Sequence, residues 1–226
     1  MKKSLLIVSL LLVFFIAGCK NSSNPSPTTK QQIQEPTQQF FVLGDSLTAG
    51  YRLAFEDSYP AQLEQKLQAA GYEIKVINSG ESGDTSAGLK DRLNRVTAEA
   101  KTGDIALIVI GGNDGLQGLP IPDLQQNITN IVTTLQSLGL KVIIGGMQLP
   151  TNLGESYRNQ FANVYPTIAN QTNSILIPFI LTGVAGVPEL NLPDGIHPNP
   201  AGQSIIAQTI FDTFIANKDI LTTNNQ

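Results

Sequence analysis

The sequence predicts a three-layer α/β/α domain built on a doubly wound, five-stranded parallel sheet, and three observations carry that expectation. Short apolar runs alternate with stretches of helical periodicity from Phe40 onward. Those runs are rich in Ile and Val and lack polar alternation, as strands covered on both faces do. Finally, the length beyond a polar N-terminal stretch suits one domain, and a hydrophobic content of 41% is ample for its core.

The elements follow in order. Phe40–Leu43 is the first strand, and the helical stretch Tyr59–Ala70 after it stops at Gly71. Ile74–Ile77 is the second strand, followed by a helix over Thr85–Ala100. Ile105–Ile110 is the third, and the helix Asp123–Leu138 that follows meets its stop at Gly139. Val142–Ile144, the helix Tyr157–Gln171 and Ile175–Ile177 complete the alternation. The last helix begins at Asn199-Pro200, where Asn can cap and Pro is tolerated at the first helical position. Strand–helix alternation of this kind winds a parallel sheet through right-handed crossovers, and such sheets bind ligands beyond the carboxyl ends of their strands.

The N-terminus has a different character. Met1-Lys2-Lys3 precedes an apolar stretch from Leu5 to Ala17 and then Gly18-Cys19. A stretch of thirteen residues is too short for a membrane-spanning helix, which needs about 20, so the pattern is that of a signal peptide over residues 1–18. Ile16-Ala17-Gly18-Cys19 resembles a bacterial lipobox, which implies a fatty-acylated Cys19 and a protein held on the outer side of a membrane in the cell envelope. Lys20 stands where an Asp would resemble an inner-membrane retention signal, which favours the outer membrane in a two-membrane cell. Cys19 is the only cysteine, so no intrachain disulfide can form. Residues 20–38 are dominated by Asn, Ser, Pro, Thr and Gln and cannot bury enough apolar surface to order themselves. Residues 19–38 are therefore expected to be a lipidated cysteine with a flexible tether, spanning on the order of 25 Å as a random coil.

The chemistry clusters at strand ends. Ser46 lies in Gly44-Asp45-Ser46-Leu47, directly after the first strand. Asn78-Ser79-Gly80 follows the second strand, and Gly111-Gly112-Asn113-Asp114 the third. His197, the only histidine in the chain, lies three residues after Asp194 in the loop before the last helix. Each stretch alone is an ordinary turn composition. Together they bring a hydroxyl nucleophile, a base, a carboxylate to orient it and donors for an oxyanion to one end of one sheet, as acyl transfer requires. Asp45 and Asp114 are expected to be structural, fixing loop hydrogen bonds.

The stretches LGDSLTAGY from Leu43, INSGESGDTSAGLKDRL from Ile77, VIGGNDGL from Val109 and PDGIHPNPAGQ from Pro193 resemble, in order, the four motif blocks of the SGNH (GDSL) hydrolases. The likeness covers nearly all of residues 40–215 and is strongest to the bacterial thioesterase/lysophospholipase/arylesterase branch. It implies a flavodoxin-like fold, with residues 39–218 as the hydrolase domain and 219–226 as a polar tail. It also implies Ser46 as nucleophile, His197 as general base and Asp194 as the carboxylate that orients it. The backbone N–H groups of Ser46 and Gly80 and the side-chain amide of Asn113 would then form the oxyanion hole.

The expected activity is hydrolysis of carboxylic esters or thioesters, with lysophospholipids or other acyl and aryl esters as substrates. Carbohydrate O-deacetylation is the rival activity, and a non-catalytic acyl- or glycan-binding lipoprotein the rival class. No cofactor or metal is expected: one His and one Cys do not make a zinc site, and no phosphate-binding glycine motif is present. The formal charge is −4 with no basic run, which argues against nucleic acid as a partner. The expected partners are the small ester substrate and a membrane reached through Cys19, with the domain itself a monomer.

Overall fold

A computed structural model of the protein describes residues 38–222. The expected signal peptide, Cys19 and nearly all of the tether lie outside these residues. No described helix is long and apolar enough to cross a membrane.

Five strands, β1 (Gln38–Gly44), β2 (Ile74–Gly80), β3 (Ile105–Val109), β4 (Lys141–Gly145) and β5 (Ile175–Ile177), form one parallel sheet in the order β2-β1-β3-β4-β5. β3 is buried at every residue, and Phe40–Leu43 of β1 likewise, which is why neither sequence alternates. The main helices are α2 (Tyr59–Ala69), α3 (Ser86–Val96), α5 (Ile121–Ser137), α6 (Glu155–Thr172) and α7 (Pro200–Ala216). Right-handed crossovers dictate their layers. The chain moves one way from β1 to β2, then back across β1 to β3 and onward to β4 and β5. The crossover helix α2 therefore lies on one face and α3, α5 and α6 on the other, and the packing of α3 on α5 and α5 on α6 follows. α7 returns to pack against α2. The direction reverses between β1 and β3, and this switch point is where such sheets open a crevice.

The elements match the sequence expectation, with differences that have local causes. Gly71 and Gly139 take left-handed φ values of 86° and 83° at the helix ends, as expected. α3 stops at Val96 rather than Ala100, and Thr97 closes it with both its N–H and its hydroxyl donating to the Leu93 carbonyl. α5 starts two residues early, at Ile121, since Pro122 fits a first turn that needs no N–H from it. β2 continues through Asn78-Ser79-Gly80, which pair with Val42, Leu43 and Gly44 instead of forming a loop.

Two boundaries shift. Gln38, expected in the tether, is the buried first residue of β1, and its side-chain amide donates to the carbonyls of Gly103 and Leu221 at 2.5 and 2.7 Å. Leu221, expected in a polar tail, is fully buried in the short helix α8 (Lys218–Leu221). It follows the exposed Ile220, and an isolated apolar pair of which one member is buried gives no helical period. Two further short helices, α1 (Ser46–Ala49) and α4 (Gly112–Leu116), occupy what read as turns after β1 and β3.

Candidate active site

The site is built on the carboxyl ends of the strands. Asp45 leaves β1 and caps α1, its Oδ1 accepting the Leu47 N–H at 3.0 Å. This cap starts a helix at Ser46, so the serine hydroxyl is carried on the first residue of a rigid turn. The Ser46 N–H belongs to the first turn of α1 and has no intrahelical acceptor.

His197 is presented by a loop stapled to itself. The Leu192 N–H donates to the His197 carbonyl at 2.7 Å, the Gly195 N–H donates to Leu192 at 2.9 Å, and Asn191 bridges Pro198. Asp194 Oδ1 accepts the N–H groups of Ile196 and His197, both at 3.1 Å, which leaves Oδ2 facing the ring. Oδ2 lies 2.9 Å from His197 Nδ1, and Nε2 lies 2.9 Å from Ser46 Oγ, 151 positions away in the chain. With Nδ1 protonated toward the carboxylate, Nε2 is left as an acceptor for the serine proton. Partial desolvation pushes the Asp194 carboxyl up, but its bonds to the His197 ring and to the two N–H groups outweigh this and hold it below the ordinary range. The carboxylate therefore stays charged where an imidazolium would need it.

The expected oxyanion donors occupy three separate elements, and two of them already have acceptors. The Gly80 N–H donates to its neighbour Asn78 Oδ1 at 3.0 Å. Asn113 Nδ2 donates to the Asp84 carbonyl at 2.7 Å, which fixes the amide orientation and leaves its second hydrogen unspent. The glycine at 80 has a reason the sequence did not show. A side-chain carbon there would collide with the backbone of Thr48 and Ala49, so glycine lets the end of β2 press against α1.

Below the surface lies a group of acids. Asp45 is buried, and burial pushes its carboxyl up to about 6, against the pull of the Leu47 N–H and His197 and with repulsion from Asp84 and Asp114 adding to it. Asp114, also buried, accepts from the Ser86 N–H at 2.8 Å and the Ser86 hydroxyl at 2.5 Å, tying α4 to α3. Both acids fix loops, as their positions suggested. Sequence reasoning did not single out Asp84 or Arg92. The guanidinium donates to Asp84 Oδ2 at 2.7 Å and to the Gly44 carbonyl at 3.0 Å, pinning the last residue of β1. It also missed Tyr51, whose ring packs on His197 with centroids 4.4 Å apart. Tyr51 ends the first motif stretch, but contact with a histidine so far along the chain leaves no local signal.

Among the described residues no three His, Cys, Asp or Glu side chains gather to hold a metal ion. A cavity of about 400 Å³ lies on the histidine loop, lined by residues that include Val187, Pro188, Leu192 and Pro193.

Comparison with known proteins decides the family. The chain matches the GDSL-like lipase/acylhydrolase family over residues 42–205, which takes in Ser46, Gly80, Asn113, Asp194 and His197. It belongs to that family. This GDSL hydrolase is 39% identical to esterase TesA of Pseudomonas aeruginosa over 180 residues, covering 80% of this chain and 89% of that one. It is 34% identical over 166 residues to thioesterase 1/protease 1/lysophospholipase L1 of Escherichia coli K12, covering 74% and 78%. Its fold matches the crystal structure of TesA with a TM-score of 0.75 at 39% identity, over 78% of this chain and 98% of that one.

Proposed function

We propose that this chain is a serine esterase in which Ser46 is the nucleophile, His197 the general base and acid, and Asp194 the carboxylate that orients it. The observation that carries the proposal is the unbroken series Asp194 Oδ2 to His197 Nδ1, and His197 Nε2 to Ser46 Oγ, each step 2.9 Å. In acylation, Oγ bonds to the ester carbonyl carbon as its proton moves to Nε2. The tetrahedral intermediate then expels the alcohol or thiol, which leaves with that proton. Water attacks the acyl-serine by the same route, releasing the acid and restoring Ser46.

The negative oxygen of each intermediate is held by the N–H groups of Ser46 and Gly80 and by the Asn113 amide. Gly80 must give up its bond to Asn78 to take part. A charged oxyanion is a stronger acceptor than a neutral amide oxygen, so the exchange is favourable as charge develops.

For substrate, we propose acyl esters of lipid type, such as lysophospholipids. Leu116 and Ile196 support this: each is nearly half exposed, and each sits within three positions of Asn113 or His197, so apolar surface flanks the reacting centre. Relatives named esterase and thioesterase/lysophospholipase point the same way. Acylation of Cys19, with the polar residues after it as tether, would place the enzyme on the outer side of an envelope membrane.

The test follows hydrolysis of p-nitrophenyl esters from acetyl to palmitoyl, by the protein and by Ser46→Ala and His197→Ala. Either substitution should lower kcat by about 10⁴–10⁶. A loss below tenfold would remove these residues from their roles. Ser46-dependent activity that grows toward medium and long chains supports the lipid reading; activity confined to acetyl would replace it with deacetylation.

A further inference from the structure

We infer that Tyr51 is a positioning residue for His197: its ring braces the imidazole toward Ser46 and favours the protonated ring that forms during the reaction. The inference rests on the reading of His197 as general base.

Asp194 and Ser46 hold the imidazole only at its edge, through Nδ1 and Nε2. Two in-plane contacts leave the ring free to tip about the line joining them. Tyr51 closes off that motion, lying against the ring with centroids 4.4 Å apart and planes inclined by 36°. It is also bound to the nucleophile, since its N–H donates to the Ser46 carbonyl at 3.1 Å. One residue thus spans the two loops that must meet, holding the backbone of one and the ring of the other.

A tight turn carries it. Tyr51 stands between Gly50 at φ 72° and Arg52 at φ 59°. The Leu53 N–H donates to the Gly50 carbonyl at 2.9 Å, so Tyr51 and Arg52 are the two central residues of a turn whose third position accepts positive φ. This turn follows directly on α1, which ends on Gly50, and so ties the position of Tyr51 to that of Ser46.

The same stack acts on charge. When Nε2 takes the serine proton, a cation faces the π-cloud of Tyr51, an attractive arrangement. Other groups act on that cation too: the Asp194 carboxylate at Nδ1 and the buried Asp45 carboxyl favour it. The Arg52 guanidinium, 5.1 Å from the Tyr51 ring centre, draws on the same π-cloud from outside.

The experiment uses the lone histidine, whose imidazole gives a single pair of carbon-bound proton NMR signals, together with kinetics on p-nitrophenyl butyrate from pH 5 to 9. In the wild type the His197 ring protons should be shifted upfield by Tyr51; values of a free imidazole would overturn the stack without any substitution being made. Tyr51→Phe, which keeps the ring, should hold kcat within about twofold. Tyr51→Leu, which fills similar space without π-electrons, should lower kcat about tenfold with KM within twofold, and move the pH–rate midpoint down. A Leu variant with wild-type kcat and midpoint overturns the inference. So does an equal loss in the Phe variant, or a loss confined to KM, which would make Tyr51 a substrate contact. Ser46→Ala separates the two readings: if it hydrolyses the ester as fast as wild type, the proposed function itself has failed; if it is inactive, a silent Tyr51→Leu defeats only the present inference.

Discussion

Asp45 offers a quantitative test of how this site is built. Its carboxyl is buried beside Ser46 and lifted to about 6 from an ordinary 3.8, chiefly by desolvation. Below pH 3.8 the group is neutral in both folded and unfolded chains and costs the fold nothing. Between 3.8 and 6 the unfolded chain ionises first, so the folded state binds more protons and stability falls as pH rises. Above 6 the full cost is present, about 3 kcal/mol at 1.36 kcal/mol per pH unit of difference. Asp45→Asn removes the charge and keeps the oxygen that accepts from Leu47. Urea unfolding of both proteins between pH 4 and pH 8 should show the wild type losing about 2.4 kcal/mol relative to the variant, since about 0.6 kcal/mol of the cost is already present at pH 4. Any fixed penalty for the new amide cancels in this pH difference. Asp194 has the opposite sign, its lowered carboxyl adding stability that is lost as pH falls, but it is common to both proteins. Parallel pH–stability curves for the two proteins would refute the argument that Asp45 is held against a desolvation penalty.

Three other substitutions probe separate parts of the design. Asn113→Ala should lower kcat by about 10²–10³ with little change in unfolding temperature, since one oxyanion donor is lost; an unchanged rate would take Asn113 out of that role. Gly80→Ala should cost stability and activity together, because the added carbon meets the Thr48–Ala49 backbone and can be relieved only by moving α1 with Ser46; calorimetry and kcat would both have to be unaffected to exclude this. Arg92→Met should destabilise by about 3–5 kcal/mol by stranding the nearly buried Asp84, and a denaturation midpoint within error of wild type would contradict that account.

Much of this protein was legible in its residues. The five strands and the helices between them were visible because a doubly wound sheet writes its burial into local pattern: unbroken Ile and Val where both faces are covered, helical periodicity where one face is. The positions of Ser46 and Asn113 just after strands, and of Asp194 and His197 in the loop before the last helix, were visible for the same reason. The histidine required no choice, since the chain has one. Short elements were harder. α1 and α4 have the composition of turns, and only the cap from Asp45 and the bonds from Asp114 to Ser86 make helical turns of these stretches. Leu221 was hidden because the short pair Ile220-Leu221 has no period to mark which of the two is buried.

By itself, then, the sequence determined the order of the layers, the end of the sheet that carries the candidate site and the residue types proposed to act there. Those follow from hydrophobic spacing and from the few side chains able to attack, to accept a proton or to hold one. Only the tertiary structure decided how those residues meet. It set the two 2.9 Å contacts of His197, placed Tyr51 on the imidazole face, and buried Asp45 deep enough to raise its carboxyl. Each of these depends on distance, orientation or loss of water between groups separated along the chain, and a local pattern in the sequence encodes none of the three.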